Sequence, residues 1–229
     1  MNIHGLQKMT LLDFPGKVAC TVFLAGCDMR CPYCHNWELV DMTAPVIMDH
    51  VELLKFLEGR KGLLDGVAFT GGEPLLRNDL EDLIRSIRDM GFAIKLDTNG
   101  NHPDRLKSLV GKGLIDYVAM DVKNSPERYG QTIGIEDFET DNIDESIRFL
   151  LEGRVDYEFR TTVVKQFHDE NSFQSIARWI AGAKNYFIQG FVDRETVRFA
   201  GLEGYSPEEL EAFISLVRPF VDRAEVRGS

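Results

Sequence analysis

The chain has 229 residues, 44% of them hydrophobic and 28% charged, which is enough apolar material to bury a full core. Its 26 basic against 37 acidic side chains leave a net charge of −11, which argues against a broad basic face for nucleic acid. No apolar stretch approaches the ~20 residues that span a bilayer, and the opening MNIHGLQKMTLLDFPGK shows no basic region followed by an apolar one. The expectation is a cytoplasmic protein with no membrane contact.

Short β-rich runs alternate with amphipathic runs along the chain. VACTVFLA (18–25) predicts a strand by its β-branched and aromatic content, and the cysteine-bearing loop follows it. VIMDHVELLKFLEGRKG (46–62) carries a helix that ends near glycines. DGVAFTGG (65–72) predicts a strand broken at Gly71 and Gly72. RNDLEDLIRSIRDMG (77–91) predicts a helix, with Asn78 or Asp79 as N-cap and Gly91 as C-cap. Four more strands are predicted at 92–100, 115–123, 156–164 and 184–192, separated by helices at 102–113, 141–154 and 170–182. The closing helix, 206–221, starts on a capping box, Ser206 followed three residues later by Glu209.

Strand-then-helix units in this alternation imply a parallel sheet with right-handed crossovers. A full eight-unit barrel needs ~250 residues, so the expected fold is α/β. It is a partial (β/α)6, TIM-like barrel, formed as one domain over 1–229. The polar and glycine-rich features fall just after the strands: the cysteine loop, GGEP, DTNG, DVK, RTT and QGF. In such folds the carboxyl ends of the strands carry the active site.

All four cysteines lie between residues 20 and 34. In a reducing compartment a cluster of this kind favours metal or redox chemistry over structural disulfides. Cys20, inside the first strand, reads as core. GCDMRCPYCHNW (26–37) supports four readings. Cys31-Pro-Tyr-Cys34 is a redox pair, but that leaves Cys27 without a role. Cys31 to His35 is a haem-attachment string, which goes with export. A structural zinc site needs a fourth ligand, and His35 directly beside Cys34 supplies it poorly. An iron–sulfur cluster on Cys27, Cys31 and Cys34 uses all three thiols and leaves one iron open.

Around this loop, Gly71 and Gly72 can let backbone approach a ligand, Pro74 fixes the exit, and Glu73 can accept from an ammonium group. Asp97 and Asp121 end two strands and read either as pocket residues or as solvated turn residues; Lys123 reads as a pocket or a surface lysine. Arg160 inside a strand is costly unless it meets an anion, and a substrate carboxylate is the expected partner. The five histidines show no metal-ligand spacing and read as surface residues. Tyr33 and Trp37 either shield the cysteine loop or simply pack.

The combination of C-x3-C-x2-C after the first strand with GGEP, LDTNG, MDVK and EFRTTVV closely resembles the radical S-adenosylmethionine (SAM) superfamily. DFPGKVACTVFLAGCDMRCPYCHN resembles the glycyl-radical-enzyme activases within it, above all the activating proteins of anaerobic ribonucleoside-triphosphate reductase. The chain departs from the activase pattern in having Phe14 where Gly is usual. It also has no inserted cysteines for an auxiliary cluster, and Gln189 stands where pyruvate formate-lyase activases have a histidine-containing segment.

The resemblance implies an enzyme that reductively cleaves SAM to a 5′-deoxyadenosyl radical and abstracts hydrogen from a glycine of a partner enzyme. That partner is anaerobic ribonucleoside-triphosphate reductase, and the electron donor is flavodoxin- or ferredoxin-like. It implies a [4Fe–4S] cluster on Cys27, Cys31 and Cys34. It places Tyr33, Gly71, Gly72, Glu73, Asp97, Thr98, Asn99, Lys123 and Arg160 at SAM, and a monovalent cation near Asp97 and Asp121. The alternative within the superfamily is a small-molecule enzyme such as 7-carboxy-7-deazaguanine synthase.

Overall fold

A computed structural model describes residues 1–227; the last two positions of the expected 1–229 domain lie outside the described residues. Strand β1 (Gly5–Thr10) pairs antiparallel with β2 (Ala19–Leu24). From β2 onward the strands run parallel: β3 (Gly66–Gly71), β4 (Ala93–Thr98), β5 (Tyr117–Asp121), β6 (Asp156–Val163), β7 (Asn185–Gly190) and β8 (Arg223–Arg227). Their order in the sheet is their order in the chain, and β1 and β8 are its edges. The sheet therefore winds one strand at a time without closing, as expected for a partial barrel.

The six predicted strands are the six inner ones, and the two edges were not predicted. GLQKMT keeps only its ends from solvent, and RAEVR carries three charges in five residues. Edge strands need no second apolar face, and charge on them discourages pairing with other chains. Inner strands are covered on both faces, which is why ACTVFL and GVAFTG read so clearly.

The outer layer comprises α1 (Trp37–Val40), α2 (His50–Glu58), α3 (Leu80–Asp89), α4 (Pro103–Gly111), α5 (Tyr129–Ile133), α6 (Asp141–Leu151), α7 (Glu170–Trp179) and α8 (Pro207–Val217). The short α1 and α5 were not predicted. Helix α2 is shorter than its 46–62 run, because Asp49 starts it with a capping box: its side chain accepts from Glu52 N and Glu52 accepts from Asp49 N, both at 2.9 Å. Asp79, not Asn78, holds the N-cap of α3, without a side-chain cap bond. Met90 is its C-cap, with Gly91 one residue beyond at φ 96°. The Ser206–Glu209 capping box of α8 forms as read.

Phe14 fills the base of the barrel. It is 2% exposed, its ring lies 6.2 Å from that of Tyr117, and Lys17 sits 5.7 Å above it. A Cβ on Gly66 would come within 2.9 Å of this ring, so the glycine makes room for it. Next to it Glu158, fully buried, accepts from Tyr117 Oη at 2.9 Å and from both Arg227 amino groups at 2.8 and 3.1 Å. That bidentate pair fastens β8 to the sheet. Phe14→Ala should cost about 3–5 kcal/mol, the range for emptying a buried aromatic site. Urea denaturation measures it, and a loss under about 1 kcal/mol would show that the base does not rest on this ring.

Candidate active site

The carboxyl ends of β2 to β7 surround one cavity of ≈ 240 Å³. Cys27, Cys31, Tyr33 and Cys34 form one wall. Gly71 and Gly72 come from the end of β3; Asp97, Thr98 and Asn99 from β4; Asp121 and Lys123 from β5; Arg160 from β6; and Gln189 from β7. Thr70 and Thr162, not singled out in the sequence, also face it. Cys20 is fully buried inside β2, away from this wall.

Short backbone contacts hold the cysteine loop. Gly26 N donates to Leu39 O at 2.8 Å, Glu73 N to Gly26 O at 2.7 Å, and Arg30 N to Ile133 O at 2.8 Å. A Cβ on Gly72 would lie 2.0 Å from Gly26 O, and one on Gly71, whose φ is 122°, 2.3 Å from Leu24 O. The freedom of these glycines lets strand end pack against strand end, while both also line the cavity. His35 reaches across the mouth: its Nε2 lies 2.8 Å from Val192 O and its ring stacks on Phe191 at 5.5 Å.

The thiols do not suit a redox pair. Burial pushes Cys31 up to about 11 and Cys27 up to about 12, and it raises Cys34 as well. A reactive Cys-x-x-Cys thiol has a lowered pKa instead. Nor does any group of three His, Cys, Asp or Glu side chains among the described residues gather closely enough to chelate one ion. Three thiols on one loop, Cys31 buried and Cys27 and Cys34 half-buried, need a bound cationic group to become thiolates, and a multinuclear cluster meets that need.

Glu73 does not line the cavity. Its carboxylate is fully buried and accepts from Leu75 N at 2.9 Å, Thr98 Oγ1 at 2.9 Å and Asn99 N at 2.6 Å. Burial drives its pKa up to about 7 against these bonds. Asp28, which the motif reading passed over, holds the other side of Asn99. It accepts from Asn99 Nδ2 and Asn101 Nδ2, each at 2.7 Å, and its Oδ2 lies 3.0 Å from His102 Nε2. Burial works to raise Asp28, but His102 and the two amides outweigh it and hold it at about 2. Asn99 Nδ2 also comes to 4.0 Å from Cys27 Sγ.

Arg160 meets protein carboxylates. Its Nε lies 2.9 Å from Asp121, its register partner on β5, and its Nη1 lies 3.4 Å from Asp97. The two carboxylates expected to frame a monovalent cation therefore flank a guanidinium. Lys123 Nζ donates to Asp121 at 2.9 Å, and the buried Lys95 ammonium pairs with Asp97. Burial works to raise Asp121, yet Arg160 and Lys123 hold it at about 2. The two cations that line the cavity, Lys123 and Arg160, are matched there by Asp97 and Asp121, while Lys95 pairs with Asp97 from outside the lining. Tyr33 packs on Phe167 at 5.9 Å, and its buried hydroxyl has no partner among the described residues.

The contact with Asp28 raises the His102 pKa above its ordinary 6.5, against burial. A group raised on folding stabilises the fold fully below its unfolded pKa, and that contribution is lost as pH rises through the folded value. The stability gap between wild type and H102A should therefore be widest below pH 6.5 and narrow as the solution becomes alkaline. Urea denaturation across that range reads it; a gap independent of pH would mean that the pair carries no charge-dependent stability.

Comparison with known proteins agrees with this geometry. The model of the Radical SAM superfamily matches residues 21–217. A Methanocaldococcus jannaschii protein named as a glycyl-radical enzyme activating enzyme is 30% identical over 98% of this chain and 95% of its own length. The 7-carboxy-7-deazaguanine synthase of Methanopyrus kandleri is 33% identical over 48% of this chain and 51% of its own. Streptococcus suis SuiB shares the fold, with a TM-score of 0.71 at 11% identity over 92% of this chain and 49% of SuiB. By sequence and by fold, the chain belongs to the radical SAM superfamily, enzymes that pair a [4Fe–4S] cluster with SAM, and to its glycyl-radical-activating type.

Proposed function

We propose that this chain installs a glycyl radical on a partner enzyme, and that the partner is anaerobic ribonucleoside-triphosphate reductase. The carrying observation is that the three thiols of one loop converge with the paired charges of Asp97, Asp121, Lys123 and Arg160 on a single cavity at the strand ends. In this reading Cys27, Cys31 and Cys34 hold the cluster, with the Lys123 ammonium favouring the thiolate forms of Cys31 and Cys34. When bound, the cluster and SAM supply a 5′-deoxyadenosyl radical that takes hydrogen from a glycine Cα of the partner.

The chain's own residues hold and orient. Gly71, Gly72, Thr98 and Asn99 shape the methionyl end of the site. Glu73 acts through Thr98 and Asn99 rather than by contact. Asp97, Lys123 and Arg160 present a charged face to SAM, while Tyr33 offers its ring and its unpartnered hydroxyl. Gln189, opposite Thr162 on the neighbouring strand, takes the place of a histidine. Fixing the reacting groups in a cavity lined by polar strand ends lowers the barrier by orientation.

All four cysteines fall between residues 20 and 34, and three of them are used in this reading. One continuous sheet favours a single domain. An external one-electron donor of flavodoxin or ferredoxin type completes the reaction, in the cytoplasm, where the thiols stay reduced. No helix among the described residues is long and apolar enough to cross a membrane.

After anaerobic reconstitution with iron and sulfide, Cys27→Ala, Cys31→Ala and Cys34→Ala should each abolish SAM cleavage, while Cys20→Ala should keep it. Full activity in any of the three would refute the ligand assignment. Mixing the reduced protein with SAM and the reductase should give a glycyl radical by electron paramagnetic resonance. Its absence, together with turnover of a pterin-like small substrate, would favour the deazaguanine-synthase reading instead.

A further inference from the structure

Strand β5 ends at Asp121, and its last ladder bond runs from Val122 N to Arg160 O at 2.8 Å. Lys123 lies beyond the ladder, where its backbone has no strand to pair with. Buried polar backbone still needs partners, and two buried side chains provide them. Lys123 N donates to Tyr129 Oη at 3.3 Å, and His168 Nε2 donates to Lys123 O at 2.8 Å.

His168 is 1% exposed. With Nε2 donating to a carbonyl, Nδ1 of the neutral ring is an acceptor; it lies 3.2 Å from Val164 N, which donates to it, and 3.2 Å from Val164 O. Burial favours this neutral ring. The histidine is itself fixed: Tyr205 Oη donates to its carbonyl at 2.6 Å, and Asn124 Nδ2 donates to Phe167 O at 2.8 Å. Phe167 in turn packs on Tyr33. One turn, 164–168, thus sets two walls of the cavity, Lys123 through His168 and Tyr33 through Phe167.

We propose that His168 is a positioning residue for SAM binding, holding the Lys123 backbone so that its ammonium stays in the cavity. The inference rests on the reading above that Lys123 contacts SAM. Its sequence context, QFHDEN, gives no hint of it, since the partner atom is a main-chain carbonyl 45 residues away.

The test is the SAM dissociation constant of the oxidised, cluster-reconstituted protein, measured by equilibrium dialysis without turnover, alongside thermal melting of each variant. The Gln amide nitrogen falls near Nε2 and the Asn amide near Nδ1. H168A and H168N should bind SAM about tenfold more weakly, and H168Q should stay within about threefold of wild type, as for other residues that orient a ligating group. In a K123M background, which itself weakens SAM binding, H168A should add no further loss. A merely structural histidine predicts instead that affinity follows melting temperature and that H168A and K123M add. H168Q binding as weakly as H168A, or additive losses, overturns the role of His168 alone. Unchanged SAM affinity in K123M overturns the Lys123 reading and the inference with it.

Discussion

Asn99 is gripped by two carboxylates, Glu73 on its backbone N–H and Asp28 on its side-chain amide. The geometry of the site depends on this grip. Glu73 belongs to the turn after β3, Asp28 to the cysteine loop after β2, and Asn99 to the end of β4, so three adjacent strand ends are tied at one residue. A fully buried carboxylate is tolerable only when its acceptor sites are filled, and Glu73 has three donors. Because both carboxylates are satisfied by protein donors, Asn99 is fixed by the fold itself. Preorganisation of that kind lets fixed dipoles act on a reacting group without first rearranging.

The same logic governs the barrel interior. Packed (β/α) barrels fill their lumen with branched apolar side chains. Here the upper lumen carries Lys95, Asp97, Asp121, Lys123 and Arg160, and the lower one Glu158 and Arg227. Each of these charges meets an opposite one, which offsets the cost of removing it from water. Phe14 and Tyr117 close the base beneath them. The departure from the activase pattern at Phe14 is therefore accommodated by packing: a large ring occupies space that Gly66, having no side chain, leaves open.

Inner strands, capping boxes and the placement of polar loops at strand ends were legible in the sequence, because each rests on local periodicity or on contacts a few residues apart. The edges β1 and β8 were not, since a strand covered on one side has no strong pattern. Nor were the partners of Glu73 and Arg160. Both were read as facing a ligand; Glu73 faces only protein groups, and Arg160, which does line the cavity, also meets carboxylates 39 and 63 residues away. The histidines show the same limit. His102 pairs with Asp28 across 74 positions, and His168 closes the β5 loop, although neither has motif spacing.

The order of residues by itself determined the parallel, barrel-like winding, the three-thiol loop and the set of strand-end segments around it. Those follow from hydrophobic period and from the number of thiols within eight residues. Only the tertiary structure decided which polar groups face the cavity and which hold others in place. That division depends on which side chains meet across the sheet once it curves, and on the demand that every buried charge find a partner.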